Sequence, residues 1–122
     1  MTPEEFIKNY EQALSTQDWS RVQPLMHEDV CVTFSNGAVH KGMIEVRKAF
    51  EKNFSLIKDE SYFITNVHWV MKNNQIAVYL FDFNWNGMIN DKPASGSGRG
   101  SAVIVNENDK WKLLLEHLGP KP

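Results

Sequence analysis

The stretch Ala77-Val78-Tyr79-Leu80-Phe81-Asp82-Phe83-Asn84-Trp85 decides the fold class, because large apolar side chains recur in it at every second position. A period of two is typical of a β-strand, whose side chains alternate between two faces. One face carries Ala77, Tyr79, Phe81, Phe83 and Trp85. The other face is apolar up to Leu80 and polar from Asp82 onward. We therefore predict a long strand over residues 75–89, with a bend or bulge near Asn84–Gly87.

Three helices are predicted before this strand. Thr2-Pro3-Glu4-Glu5 is typical of a helix start, since Thr2 can cap the helix and Pro3 suits its first position. Asp18 can cap a second helix, which Pro24 keeps short. The third helix is predicted over residues 43–54. Its candidate inward residues are Ile44, Val46, Phe50 and Phe54.

Further strands are predicted over residues 29–34, 62–71, 98–106 and 111–118. The small and polar run Pro93–Gly100 is typical of a loop between strands. Helices followed by strands with short connections predict an α+β fold with a mainly antiparallel sheet. A chain of 122 residues with 42% hydrophobic residues is long and apolar enough for one domain.

Composition excludes several classes of protein. The net charge is −2, with no cluster of basic residues of the kind that nucleic acid requires. Cys31 is the single cysteine, so no disulfide framework is expected. We expect a cytoplasmic location without membrane contact, because neither a signal sequence nor a membrane-spanning segment is evident. The four histidines lack the spacing of metal ligands, and we predict neither a metal site nor a cofactor.

Both faces of the predicted sheet are substantially apolar, although three helices can cover only one of them. A second copy of the chain is the simplest cover, and the predicted partner is therefore the chain itself, in a homodimer through the outer face. Trp69 and Trp111 are expected to cover that outer face. The alternative is an apolar face that remains partly exposed.

Several motifs resemble those of one known family over nearly the whole chain. They are Tyr10-Glu11-Gln12-Ala13-Leu14, Gly98-Arg99-Gly100-Ser101, Asp109-Lys110-Trp111-Lys112-Leu113 and Glu116-His117-Leu118. The chain resembles the SnoaL-like and ketosteroid isomerase-like branch of the nuclear transport factor 2-like superfamily. Its ending resembles the association domain of calcium/calmodulin-dependent protein kinase II. The resemblance implies a single domain over residues 1–122 with a cystatin-like cone, in which a strongly curved sheet packs on three N-terminal helices around an internal pocket.

The resemblance also implies which residues carry chemistry. Tyr10 matches the tyrosine that donates to an oxyanion in the isomerases. The position of their aspartate base falls on Phe34, and that of their second acid falls near Ser101. Isomerisation by the usual residues is therefore not expected, and whether the chain is an enzyme stays open. The alternative role of Tyr10 is that of a core aromatic residue.

Arg99 and His117 are the other two catalytic candidates. Arg99, between glycines, could bind an acidic ligand beside the aromatic face; the alternatives are an exposed arginine or a structural pair with Glu116 or Asp82. His117 could act as a base near neutral pH; the alternative is a structural histidine at the dimer face. Strand alternation places His117 and Glu116 on opposite faces and leaves open which of them faces the pocket.

These residues predict a pocket that binds an apolar small molecule, acidic if Arg99 contacts it, with proton transfer, isomerisation, cyclisation or hydration as candidate reactions. The predicted ligand-binding residues are Trp19, Phe34, Phe54, Tyr79, Phe81, Phe83, Trp85, Ser101 and Glu116. The first alternative is a non-catalytic association or ligand-binding module. The second is an interior filled by its own aromatic side chains.

Overall fold

The helices and strands follow the predicted order. The structure is a computed structural model and describes residues 1–121. The helices are α1 (Pro3–Thr16), α2 (Trp19–Val22) and α3 (Met43–Leu56), with a 3₁₀ turn at Gln23–Leu25. The strands are β1 (Met26–Thr33), β2 (Val39–Lys41), β3 (Lys58–Lys72), β4 (Ile76–Ile89), β5 (Lys92–Glu107) and β6 (Lys110–Gly119).

The six strands form one sheet in the order β2-β1-β6-β5-β4-β3. The pair β1–β6 is parallel, and every other pair is antiparallel. The predicted α+β class with a mainly antiparallel sheet is confirmed. The helices pack on one face of this sheet, which we call the inner face, and the opposite face is called the outer face.

The helix starts are confirmed by their caps. Thr2 Oγ1 accepts a hydrogen bond from the Glu5 amide at 3.1 Å, and Asp18 Oδ1 accepts one from the Ser20 amide at 3.0 Å. The inward position of Ile44 is wrong, because its side chain is 73% exposed. Val46 and Phe50 are buried and four residues apart on one side of α3, whereas Ile44 is two residues from Val46 and points away.

The loop predicted over Pro93–Gly100 is part of β5 instead. Its glycines pair with the aromatic residues of β4, in the register Phe81↔Gly100, Phe83↔Gly98 and Trp85↔Gly96. A Cβ atom at Gly98 would lie 2.6 Å from Phe83 Cζ, and one at Gly100 would lie 2.7 Å from Phe81 Cε1. The rings therefore lie across the glycines. Composition alone predicts a loop here because it carries no information on this cross-strand packing.

The irregularity predicted in β4 near Asn84–Gly87 lies in the neighbouring strand. The pairing of β4 with β5 is continuous, whereas β3 has an extra residue between Lys58 and Ser61, opposite Met88 and Asn86. β6 also carries a bulge, where Leu113 and Leu115 pair with consecutive residues of β5. This bulge changes the alternation, so that Glu116 is buried while Leu115 and His117 are exposed.

The core lies between the helices and the inner face and includes Phe6, Tyr10, Val46, Phe81 and Leu113. Trp69 and Trp111 do not cover the outer face as expected. Trp111 is buried, and its indole N–H donates to the Met1 carbonyl at 3.0 Å; the Trp69 ring packs on Tyr79 at 5.1 Å. No helix within residues 1–121 has the length and apolar character needed to span a membrane.

Candidate functional site

A cavity of about 250 Å³ opens between α1, α3 and the inner face of the sheet. Seven aromatic residues line it. They are Tyr10, Phe34, Phe50, Phe54, Tyr62, Phe83 and Trp85. The polar side chains of the lining are those of Tyr10, Ser35, Asn36, Asn53, Glu60, Tyr62 and Glu116. A concave, mostly apolar space with a few polar groups is the usual form of a small-molecule site.

Tyr10 and Glu116 form the buried polar pair of this cavity. The Tyr10 hydroxyl donates a hydrogen bond to Glu116 Oε1 at 3.3 Å. Tyr10 is fully buried, and Glu116 is only 2% exposed. The other carboxyl oxygen, Glu116 Oε2, is buried and has no hydrogen-bond partner among the described residues. One oxygen of Glu116 is thus held by Tyr10, and the other is buried without a partner among the described residues.

Local structure explains how these two residues meet. Tyr10 belongs to the buried stripe of α1 with Phe6 and Leu14, and the Phe6 and Tyr10 rings stack at 5.7 Å. Glu116 reaches the interior because the bulge at Leu114 reverses the alternation of β6. A polar residue is therefore turned into the core, where an uninterrupted strand would have placed His117.

Burial raises the pKa of the Glu116 carboxyl to about 7, and the hydrogen bond from Tyr10 opposes this rise. Burial together with the Glu116 charge also raises the pKa of Tyr10, Tyr62 and Tyr79 well above the ordinary tyrosine value. The tyrosines stay neutral near pH 7, whereas Glu116 exchanges its proton there. A carboxyl that titrates near the working pH is suited to general acid–base chemistry.

Glu60 is a second carboxyl of the cavity lining, and it was not predicted from the sequence. It lies in the β3 bulge, next to Asp59, whose φ is +53°. Its backbone amide faces Gln17 Oε1 at 3.5 Å, and the Gln17 side chain also donates to the Ile57 carbonyl. Burial raises the pKa of Glu60 to about 7. No sequence signal identifies Glu60, because the bulge that directs it to the cavity depends on the pairing with β4.

Asn53 was also missed, although the sequence could have identified it. It lies three residues after Phe50 on α3, so both side chains lie on the same face of the helix.

The basic side chains contribute nothing to the lining of the cavity. Within residues 1–121, no Lys, Arg or His lines the cavity.

The structure brings together half of the predicted site residues. Tyr10, Phe34, Phe54, Phe83, Trp85 and Glu116 all line the cavity. Trp19, Tyr79 and Phe81 lie in the core behind the cavity wall. Ser101, Arg99 and His117 line a shallow recess on the outer face instead. The question that the sequence left open is settled, since Glu116 and not His117 faces the cavity.

The expectation that Arg99 joins the aromatic face is wrong, because alternation along β5 turns Gly98 and Gly100 inward and Arg99 outward. Arg99 Nε lies 3.5 Å from Asp82 Oδ1 and is 58% exposed. Asp82 Oδ2 also accepts from the Asn66 side chain at 2.8 Å and lies 3.2 Å from Lys121 Nζ. The Asn66 hydrogen bond, aided by Lys121 and Arg99, lowers the pKa of Asp82. Arg99 therefore cannot bind an acidic ligand inside the cavity.

Phe34, which the resemblance aligns with the base of the isomerases, lies beside α3 at the edge of the cavity. Its ring packs against Phe50 at 5.6 Å and His40 at 5.1 Å, and it forms part of the cavity wall. No group of three or more His, Cys, Asp or Glu side chains that could hold a metal ion is found in residues 1–121. The carboxyl groups that line the cavity are those of Glu116 and Glu60.

The sequence profile of the SnoaL-like domain matches residues 4–120. The chain belongs to the SnoaL-like family. This membership confirms the family that the opening and closing motifs resemble. A comparison with curated proteins finds no significant match.

Solved structures show that this SnoaL-like chain has the nuclear transport factor 2-like fold. A nuclear transport factor 2-like superfamily protein from Salmonella enterica serovar Typhimurium has a TM-score of 0.86 at 15% identity, covering 97% of this chain and 87% of that one. A candidate calcium/calmodulin-dependent protein kinase II association domain from Xanthomonas campestris has a TM-score of 0.85 at 17% identity, covering 98% of this chain and 85% of that one. A candidate scytalone dehydratase from Novosphingobium aromaticivorans has a TM-score of 0.83 at 16% identity, covering 94% of this chain and 78% of that one. These likenesses establish the cystatin-like fold and leave the activity to be argued from the site.

Proposed function

We propose that this SnoaL-like protein binds a small, largely apolar molecule in its cavity and transfers a proton to or from it. The observation that carries the proposal is Glu116, a buried carboxyl with one oxygen held by Tyr10 and the other without a partner among the described residues. A buried polar atom without a partner is costly, so a ligand group that completes its hydrogen bonding is favoured.

The size and wall of the cavity define the kind of molecule. A volume of about 250 Å³ exceeds the roughly 150 Å³ of an engineered cavity that holds benzene and lies just below the usual range of drug-sized pockets. One ring with a short substituent fits this volume. The aromatic wall favours an apolar skeleton, and the ligand's polar group is expected at Tyr10 and Glu116.

The chemistry assigned to each residue follows from its surroundings. Glu116 Oε2 accepts a proton from the ligand when the carboxyl is ionised and returns one when it is protonated; its pKa of about 7 makes both forms available near neutral pH. Tyr10 is a positioning residue, because its hydroxyl holds Oε1 and keeps the carboxyl oriented. A structural neighbour named as a candidate dehydratase supports a role of this kind.

Exchange of hydrogen for deuterium in benzylacetone tests the proposal. In D₂O, removal of a proton from the carbon beside the carbonyl and return of a deuteron appears as loss of that ¹H NMR signal. We expect the full chain to accelerate this exchange roughly 10²-fold or more over buffer, a typical contribution of general acid–base catalysis. Glu116→Gln should reduce the rate to that of buffer, because the amide cannot accept the proton.

Glu51→Gln is the matched control, since Glu51 is an exposed residue of α3 that pairs with Arg47 away from the cavity. This variant should retain the rate of the unmodified chain. Equal rates for Glu116→Gln and the unmodified chain, with the probe bound in both, would remove Glu116 from the mechanism. Failure of the unmodified chain to accelerate exchange of the bound probe would overturn the proton-transfer role.

We also propose that the protein associates with itself through the outer face. Val78, Val103 and Leu115 occupy one row across β4, β5 and β6, and Leu80 lies in the next row. Leu80 and Leu115 are 47% and 45% exposed. A contiguous apolar patch of this kind favours an interface, and a second copy of the chain carries the same patch. Light scattering coupled to size-exclusion chromatography should give twice the mass of the chain, and the mass of one chain would contradict this.

We propose a cytoplasmic location as well. The single Cys31 is a free thiol in β1 and is half-buried. A free thiol without a disulfide framework is typical of reducing compartments. Fractionation of cells that express the full chain should recover it in the cytoplasm; recovery outside the cytoplasm would contradict the proposal.

A further inference from the structure

We propose that the ligand of this cavity is an organic cation, a protonated amine on an apolar skeleton. The inference rests on the proposed function, because it names the class of molecule that the same cavity takes. It goes further, because it predicts that the cavity discriminates between head groups of equal size by their charge.

The cavity wall combines aromatic and acidic side chains. Aromatic rings and two carboxyl groups line the cavity, and no basic side chain within residues 1–121 balances the carboxyls there. The faces of Trp, Tyr and Phe rings attract cations. Trp85, Tyr62 and Phe83 lie in this wall. A cation that enters the cavity therefore meets aromatic side chains as well as the two carboxyls.

One carboxyl oxygen of Glu116 is unsatisfied. Its Oε1 accepts from Tyr10, whereas Oε2 is buried without a donor among the described residues. An ionised carboxyl in an apolar interior is costly unless it is paired and hydrogen-bonded. An ammonium group supplies both the opposite charge and the missing donor. A hydroxyl group supplies only the donor, and a carboxylate adds a second negative charge.

Glu60 lies in the same lining as Glu116. Its carboxyl adds a second negative group to a space that has no positive one in the described chain. Clefts lined by one sign of charge and walled by low-dielectric groups concentrate ions of the opposite sign. Glu60 thus favours entry of a cation and disfavours entry of an anion, and Glu116 then binds the charged head group.

A series of three ligands with one skeleton tests the inference. Hydrocinnamylamine, hydrocinnamyl alcohol and hydrocinnamate share a phenylpropyl skeleton and differ in head-group charge. Titration calorimetry of the full chain at about pH 8, where both carboxyls are ionised, should show the amine binding at least tenfold more tightly than the alcohol. The acid should bind more weakly than the alcohol, because its charge repels Glu116 and Glu60.

Two variants separate the charge effect from the cavity itself. Glu116→Gln keeps the shape of the side chain and removes its charge, so the amine should lose its advantage while the alcohol binds as before. Glu60→Gln should weaken the amine by a smaller factor, since Glu60 is less buried than Glu116. The control Glu51→Gln makes the same charge change on the exposed side of α3 and should leave the amine's advantage intact.

The amine's advantage should also shrink at about pH 5.5, where the Glu116 and Glu60 carboxyls are mostly protonated. The titratable groups that face Glu116 are Tyr10 from α1, Tyr62 from β3 and Tyr79 from β4, and all three stay neutral over this range. His40 contacts the lining residue Phe34. The alcohol, measured at both pH values, corrects for any effect of His40 on the cavity.

The outcomes distinguish this inference from the proposed function. If the alcohol binds as tightly as the amine, or the acid binds most tightly, the cation inference is overturned and the cavity remains a small-molecule site. If the advantage of the amine survives in both Glu116→Gln and Glu60→Gln, the charge is recognised elsewhere and the inference is again wrong. If none of the three binds at millimolar concentration, the inference and the small-molecule role fail together.

Discussion

The Tyr10 hydroxyl on α1 donates to Glu116 Oε1 on β6 at 3.3 Å, across 106 residues of sequence. The pair forms because α1 directs Tyr10 into the core and because one extra residue in β6, Leu114, turns Glu116 to the same side. Without that bulge, simple alternation from Leu113 would turn His117 inward. The acid–base character of the cavity thus depends on one irregularity in the strand ladder.

The pH dependence of stability should report the burial of Glu116. The folded pKa of about 7 lies above the ordinary value of 4.5, so the folded state binds more protons than the unfolded state between these values. The free energy of unfolding should therefore fall as the pH rises from 4.5 and level off above 7. The shift corresponds to a loss of about 3 kcal/mol. Urea denaturation at a series of pH values measures it.

Glu116→Gln provides the control for this dependence, because the amide does not titrate. The variant should lose about half of the fall between these pH values and should be more stable than the unmodified chain at about pH 8. Glu60, whose pKa is also raised to about 7, should leave the remaining fall, with the same sign. An unchanged pH profile in Glu116→Gln would mean that the Glu116 carboxyl does not titrate in the folded protein as described.

The glycines of β5 should tolerate no side chain on the inner face. A Cβ at Gly98 or Gly100 would fall against the Phe83 or Phe81 ring, at 2.6 and 2.7 Å respectively. We expect Gly98→Ala and Gly100→Ala each to destabilise the protein by about 1–3 kcal/mol, as overpacked cores do. Gly119→Ala is the control, since no atom lies within 4 Å of a Cβ there. Equal stability of Gly100→Ala and Gly119→Ala in urea would contradict this packing.

Filling the cavity should weaken ligand binding without unfolding the chain. Leu118 is half-buried in the cavity lining, and Leu118→Trp adds volume there. Hydrocinnamyl alcohol should bind at least tenfold more weakly to this variant. Leu56→Trp makes the same change at a residue that is 51% exposed at the end of α3 and should bind normally. Binding that is equal in both variants would place the ligand outside the cavity.

The proposed self-association should depend on the apolar residues of the outer face. Leu115→Glu places a charge in the middle of the row that Val78 and Val103 form, and we expect it to halve the mass measured by light scattering. Leu56→Glu adds the same charge to an exposed leucine on α3 and should leave the mass unchanged. A Leu115→Glu protein that keeps its mass would indicate that another surface mediates any association.

Sequence patterns predicted the helices, the strands and part of the site for identifiable reasons. The alternating aromatics of β4 and the helical stripe around Tyr10 follow regular periods, so their inner faces could be assigned. The sequence did not determine the positions of Arg99 and His117. Alternation alone does not show which face of β5 is the inner one, and it does not reveal the bulge in β6. Glu60 was missed because its orientation depends on the bulge in β3 opposite β4, a tertiary feature.

The pKa of the Glu116 carboxyl, measured by ¹³C NMR titration and assigned by the signal missing in Glu116→Gln, tests the central claim most directly. We predict a value of about 7 in the unmodified chain. Tyr10→Phe should raise it further, because the hydrogen bond from Tyr10 lowers it. A value near 4.5 would contradict the account, since a carboxyl with an ordinary pKa is neither buried as described nor suited to exchange a proton with a ligand at neutral pH.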